Sequence, residues 1–219
     1  MINYLLVAHI VVLGYWLGSE FVINSTYRLV CYAEDMPFKQ REQLMDHVMN
    51  VDQHVRYALI LQFSLGSMLA ASYGFIPGGS SLVAGAAFFG ISWLIFTEAV
   101  HRLRKRPSGQ ILGRIDRGTR YFLLLIIFAI ATGMLGDTWP MPSWLRWKLV
   151  AFGGVVACGV GIRIVLSTHF RVWARMAEGS ISIKDNDAIK QTYVKATSVL
   201  VLLWIFIAIA TFLSIAKPA

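Results

Sequence analysis

Several titratable side chains of this chain fall inside or beside long apolar runs, where an ionisable group is costly and so marks a candidate site. Near one predicted membrane face lie His9, seven residues into the first run, and Lys148, at the start of the fifth. Near the other lie Glu20, His54, Glu98, His101, Arg163 and His169. His9, Trp16 and Glu20 share one helix face, since seven residues turn about 700° and eleven about 1100°. The eleven steps from His9 to Glu20 cover roughly 16 Å, too far for one small site. An imidazole inside an apolar helix must bond something. His9 therefore reads as an interhelical hydrogen-bonding group, a haem ligand or a ligand to another metal. Met68 and Met134 are the candidate second axial ligands. Glu98 and His101 form an E-x-x-H pair on one helix face, as in di-metal carboxylate bundles, and His54 and His169 occur at similar depth. An N/O metal site or haem ligation is one reading of this layer. The other is that Glu98 and His101 snorkel beside Arg102 and Arg104 while Glu20 pairs with Arg163. His47 and His54, seven apart, read as aqueous-boundary residues.

The elements that carry these residues are membrane helices. Of 219 residues 57% are hydrophobic and 15% charged, against roughly a quarter charged in soluble domains. Mean hydropathy is +0.61. Runs at about 3–23, 57–76, 81–100, 121–138, 147–168 and 194–216 each approach the ~20 apolar residues a bilayer needs. No ten-residue alternation suggests barrel strands. The fold class is all-α, a polytopic bundle of six transmembrane helices forming a single domain over 1–219. The first run lacks a basic leader and a cleavage site, so it reads as a permanent helix. Leu44, Met45, Val48, Val51 and Val55 recur at helical spacing, which predicts a cytoplasmic amphipathic helix over about 38–55 running into the second span. Pro77-Gly78-Gly79 predicts a tight turn. The segment 137–147 holds three Trp and two Pro at the outer boundary, an aromatic belt. Gly153 and Ala157 make a small-x-x-x-small pair for close helix approach.

Sixteen of the twenty Lys and Arg fall in 24–56, 102–120 and 169–195, which by the positive-inside bias puts those segments in the cytoplasm and both termini outside. The net charge of +8 thus lies beside spans, where anionic lipid is a nearer partner than nucleic acid. Cys31 and Cys158 fall in different compartments, which argues against a disulfide. No Walker loop, dinucleotide fingerprint, hydrolase elbow or zinc-finger spacing occurs.

The first span reads His9-Ile-Val-Val-Leu-Gly-Tyr-Trp16-Leu-Gly18, a His followed by Trp-x-Gly. It resembles the opening helix of two related families, the haem-b-dependent membrane protoporphyrinogen oxidases and the copper-resistance D-like proteins. Arg28-Leu-Val-Cys-Tyr-Ala-Glu34, Trp144-Leu-Arg-Trp-Lys148-Leu149 and Ala216-Lys217-Pro218 are similar to further stretches of the oxidase family. The resemblance implies that His9 ligates haem b or a metal and that Lys148 is the functional lysine. It departs from the family in lacking the His expected near Tyr32, with Cys31 preceding Tyr32 instead, and in its third and fourth spans, which look like an insertion carrying Glu98 and His101.

Three functions follow. One is a haem-b oxidoreductase acting on protoporphyrinogen or passing electrons to quinone, with Trp16 against the macrocycle and Lys148 holding a carboxylate. Another is a copper or other metal transport protein using His9, Met68 and Met134. The third is a non-catalytic subunit of a larger electron-transfer assembly. Compact loops suit a bacterial inner membrane protein, alone, as a homo-oligomer or within a larger complex, with the lipid bilayer as its first partner.

Overall fold

The structure, a computed structural model, describes residues 2–103, 106–134, 140–179 and 182–218. Arg104, Lys105 and the Asp137–Trp139 part of the aromatic segment lie outside the described residues. Among the described residues six helices follow in order: α1 Ile2–Tyr32, α2 Phe38–Ser72, α3 Gly79–Leu103, α4 Pro107–Ala131, α5 Ser143–Ala177 and α6 Ile183–Ala216. Among the described residues five of them, α1, α2, α3, α5 and α6, are long and apolar enough to cross a membrane. Arg114, Asp116, Arg117 and Arg120 interrupt the apolar run of α4, and the helix ends at Ala131, short of the expected boundary at 138.

Proline and serine set the starts. Pro37 and Pro142 precede α2 and α5, and Pro107 occupies the first turn of α4, where its missing N–H is no loss. Ser182 caps α6 in a reciprocal pair with Asp185, satisfying two otherwise orphaned donors. The α2–α3 turn needs glycine at Gly78 and Gly79, whose φ values are +116° and +49°.

Neighbouring helices run antiparallel, as short connections require. Along α1 and α2, His9 pairs with Gln62, Tyr15 with His54 and Val30 with Arg41. Along α5 and α6, Gly154 meets Phe206, Gly161 meets Val199 and Arg175 meets Asp185. Each helix packs on the next, and α6 returns to α1, so the six close a ring. Val7, Ile10, Phe88, Ile95, Leu125 and Phe212 point outward, giving the bundle the apolar exterior that lipid favours.

Helices α1, α2, α5 and α6 are 31 to 35 residues long, roughly 46–52 Å, so they outrun a ~30 Å hydrocarbon core. Their lower ends, the ends away from the 73–78 turn, form a core of their own. There Met45 and Val48 on the predicted amphipathic face bury against Tyr27, Val30, Cys31, Trp173, Met176 and Ile189. A middle core gathers Trp16, Ala58, Val155, Cys158, Leu203 and Ile207. The cysteines are free and sit in these separate cores. At the upper end Lys217 lies over the rings of Tyr73, Phe75 and Trp144, 5.5–6.0 Å from their centres.

The small residues of α5 serve two neighbours. Gly153, expected to pair with Ala157, faces Ile127 of α4, whereas Gly154 and Gly161 face α6.

Candidate functional site

Near the upper end, His9 is wedged between α1 and α2. A Cβ on Gly66 would stand 3.4 Å from the imidazole Cε1, so the glycine sets the room available to the ring. The Gln62 amide donates to the His9 carbonyl at 2.8 Å, which pins this crossing. The imidazole Nδ1 is buried without a hydrogen-bond partner. A buried unpaired ring nitrogen is costly. Lys148 is the charged side chain whose field reaches His9. Among the described residues Lys148 makes no ion pair or hydrogen bond of its own.

The two methionines do not join this pair. Met68 is two residues beyond Gly66, about 200° around α2, and so on the opposite face. Met134 is exposed just past the end of α4, which packs on α3 and α5 rather than α1. Trp16 is 3% exposed in the middle core, and its indole N–H donates to Glu20 at 3.2 Å. It packs protein, and its one polar atom is already engaged.

Glu20 therefore does not pair with Arg163, as the sequence suggested. Arg163 instead donates to Asp52 at 3.4 Å, and Arg56 donates to the same carboxylate at 2.9 and 3.1 Å. Arg120 donates to Asp116 at 2.7 Å. Asp116 is only 4% exposed, so this pair belongs to the bundle interior. Arg56 and Arg120, counted above as loop cations, are therefore half-buried helix residues held in ion pairs. These five side chains come from α2, α4 and α5 and sit within electrostatic reach of one another. A sequence signal for them exists: Asp-x-x-x-Arg occurs at 52–56 and again at 116–120, the i,i+4 spacing of helical ion pairs.

At the lower end His169 is fully buried. Its Nδ1 is 3.0 Å from the Tyr27 hydroxyl, its ring stacks on Trp173, and its Nε2 has no partner. Arg41, 1% exposed, donates to the Val30 carbonyl and to Asn186 Oδ1 at 2.9 and 3.1 Å. Tyr27, Arg41 and Asn186 were not singled out from the sequence, because only the antiparallel crossing brings Tyr27 and Arg41 to His169 and Asn186 to Arg41.

The remaining candidates have ordinary partners. His54 is exposed at Nδ1-to-hydroxyl distance 2.5 Å from Tyr15. Glu98 accepts from the Tyr57 hydroxyl and from Arg102, and His101 lies within its field. Of the two arginines expected beside Glu98, Arg102 pairs with it, and Arg104 lies outside the described residues. Among the described residues no three His, Cys, Asp or Glu gather to hold a metal ion, so His9, His54, Glu98, His101 and His169 do not form a shared centre. No family model, curated protein or solved structure matches the chain.

Proposed function

We propose that the chain is a multi-pass protein of a bacterial inner membrane, with six spans and both termini outside, that binds haem b at His9 and works as an oxidoreductase. In this reading α4 crosses with its Asp116–Arg120 pair turned inward, which is how a bundle tolerates charges that its hydropathy penalises.

The observation that carries the reading is the buried, unpartnered Nδ1 of His9 within the electrostatic reach of Lys148, which makes no ion pair among the described residues. An imidazole nitrogen with no proton partner is a metal ligand in waiting, and a lysine in apolar surroundings suits a carboxylate. That donor set fits a porphyrin with propionates. His9 would hold the iron and Lys148 a propionate or a porphyrin substrate's carboxylate. Haem b would supply one-electron redox chemistry, with its potential set by the axial ligand and by burial. The chain's own work is to orient the imidazole through the Gln62–His9 carbonyl bond and to exclude water with α1, α2 and α5. His169 fits less well, because its free nitrogen is enclosed by packed aromatic rings. The copper alternative lacks a soft ligand beside His9, since Met68 and Met134 both lie elsewhere.

A pyridine haemochromogen assay on protein purified from haem-replete cells tests the reading. Haem b in constant ratio to protein supports it. Protein without haem or metal at any ratio removes it, and leaves a scaffold subunit of a larger assembly.

A further inference from the structure

The charge cluster on α2, α4 and α5 does not balance. Arg56, Arg120 and Arg163 are held by only two carboxylates, Asp52 and Asp116, and the three guanidiniums lie within electrostatic reach of one another. One positive charge is left over. A bundle pairs the charges it carries into a bilayer, and a charge without a counterion in low dielectric is costly.

Beside the cluster, helices α2 to α5 enclose a partly open cavity of about 50 Å³. Arg56, Arg120, Asp116 and Thr97 line its polar side, and the rest is apolar and aromatic. Phe63 and Phe152 already stack on each other, 5.8 Å between centres, so no slot for a further ring remains between them. A water molecule needs roughly 10–15 Å³ by the same measure. The cavity therefore has room for a monatomic ion or a few waters.

The lining selects an anion. It carries two guanidiniums and one carboxylate, and Arg120 already holds that carboxylate at 2.7 Å. Thr97 is 2% exposed, and its hydroxyl is buried without a hydrogen-bond partner, a condition that buried polar groups almost always escape. Depth gives access. Arg120 stands eleven residues before the end of α4 and Arg56 sixteen before the end of α2, roughly 16 and 24 Å below the upper face. The polar side thus lies in the lower half of a ~30 Å core, where an ion arrives from the lower aqueous side without crossing the whole apolar layer.

We infer that this cavity holds a monovalent anion of halide size, chloride in the cell, between Arg56, Arg120 and the hydroxyl of Thr97. The ion neutralises the cluster and joins α2, α3 and α4 at one point. The inference goes beyond the haem reading and requires only that the bundle lie in a bilayer.

The test uses the purified full-length protein in dodecyl maltoside micelles, with chloride binding read as broadening of the chlorine nuclear magnetic resonance line and sodium gluconate holding ionic strength constant. Broadening that bromide removes saturably is expected. Asp52→Asn makes the cluster more positive and should tighten binding about tenfold, while Arg163→Gln makes it neutral and should weaken binding about tenfold. That is the order expected of one unit charge roughly 10 Å away at an effective dielectric constant of about 20. Thr97→Val should weaken binding about two- to tenfold, the usual effect of one lost hydrogen bond. Arg102→Gln, at a side chain 77% exposed on α3, should change nothing. Each variant is first matched to the wild type in elution volume and helical circular dichroism; if Asp52→Asn fails that match, Arg163→Gln and Thr97→Val decide. Absence of broadening, broadening that bromide leaves in place, or an equal loss in Arg102→Gln and Arg163→Gln overturns the inference. A shift in the same direction for Asp52→Asn and Arg163→Gln does so as well. So does loss of the broadening on adding phosphatidylglycerol equimolar with the protein, which would reassign the site to a lipid phosphate.

Discussion

The tight approach of Gly154 to Phe206 gives the sharpest stability prediction. A Cβ built on Gly154 stands 2.8 Å from three ring atoms of Phe206, against ~3.5–4.0 Å for an ordinary carbon contact. Gly154→Ala therefore forces the ring or the α5–α6 pair apart by roughly 0.7–1.2 Å. Overpacking of this kind costs about 1–3 kcal/mol, while the better helix propensity of Ala returns up to about 1 kcal/mol. The net expectation is a loss of about 1–2 kcal/mol. Gly159, five residues along the same helix, has nothing within 4 Å of its built Cβ, so Gly159→Ala should be neutral or gain up to about 1 kcal/mol. Adding Phe206→Leu to Gly154→Ala should recover most of the loss, a coupling that independent sites do not show. The assay is equilibrium unfolding in mixed micelles, as sodium dodecyl sulfate mole fraction rises, followed by far-ultraviolet circular dichroism. Equal stability for Gly154→Ala and Gly159→Ala would refute the argument, because it would mean that the Phe206 ring does not limit the space at Gly154.

Two further outcomes are open to direct measurement. Asp116→Asn leaves Arg120 without its counterion in the bundle interior and should cost about 3–5 kcal/mol in the same titration, whereas the paired change Asp116→Leu with Arg120→Met should return most of it. For topology, Asp35→Cys and Ser80→Cys occupy exposed positions at opposite ends of α2's neighbours; a membrane-impermeant maleimide added to intact cells should label position 80 and spare position 35, and the reverse pattern would invert the proposed orientation.

Helical character and apolar spans were legible because each depends on local composition and on a 3.6-residue period. The α2 segment near Met45 and Val48 shows how far that goes: periodicity gave a face, but only the fold shows it docked on α1, α5 and α6 instead of lying free. The charged residues were harder. Arg56 and Arg120 look like loop cations when charge is counted by segment, yet helix α4 begins at Pro107 and carries Asp116 and Arg120 inward. Glu20 was matched with Arg163 by depth alone. Depth does not fix azimuth, and the nearer partner was Trp16, one helical turn away. His9 and Lys148 were legible as ionisable residues within apolar runs, and the crossing of α1 with α2 at Gly66 explains why that imidazole is held away from water.

The central claim is that His9 holds haem b. Its most direct test is a reduced-minus-oxidised visible spectrum of the purified protein, for the wild type, His9→Ala and His169→Ala. The account predicts a b-type band in the wild type that is lost in His9→Ala and kept in His169→Ala. A band that survives His9→Ala and disappears in His169→Ala would contradict it and move the site to the lower end of the bundle.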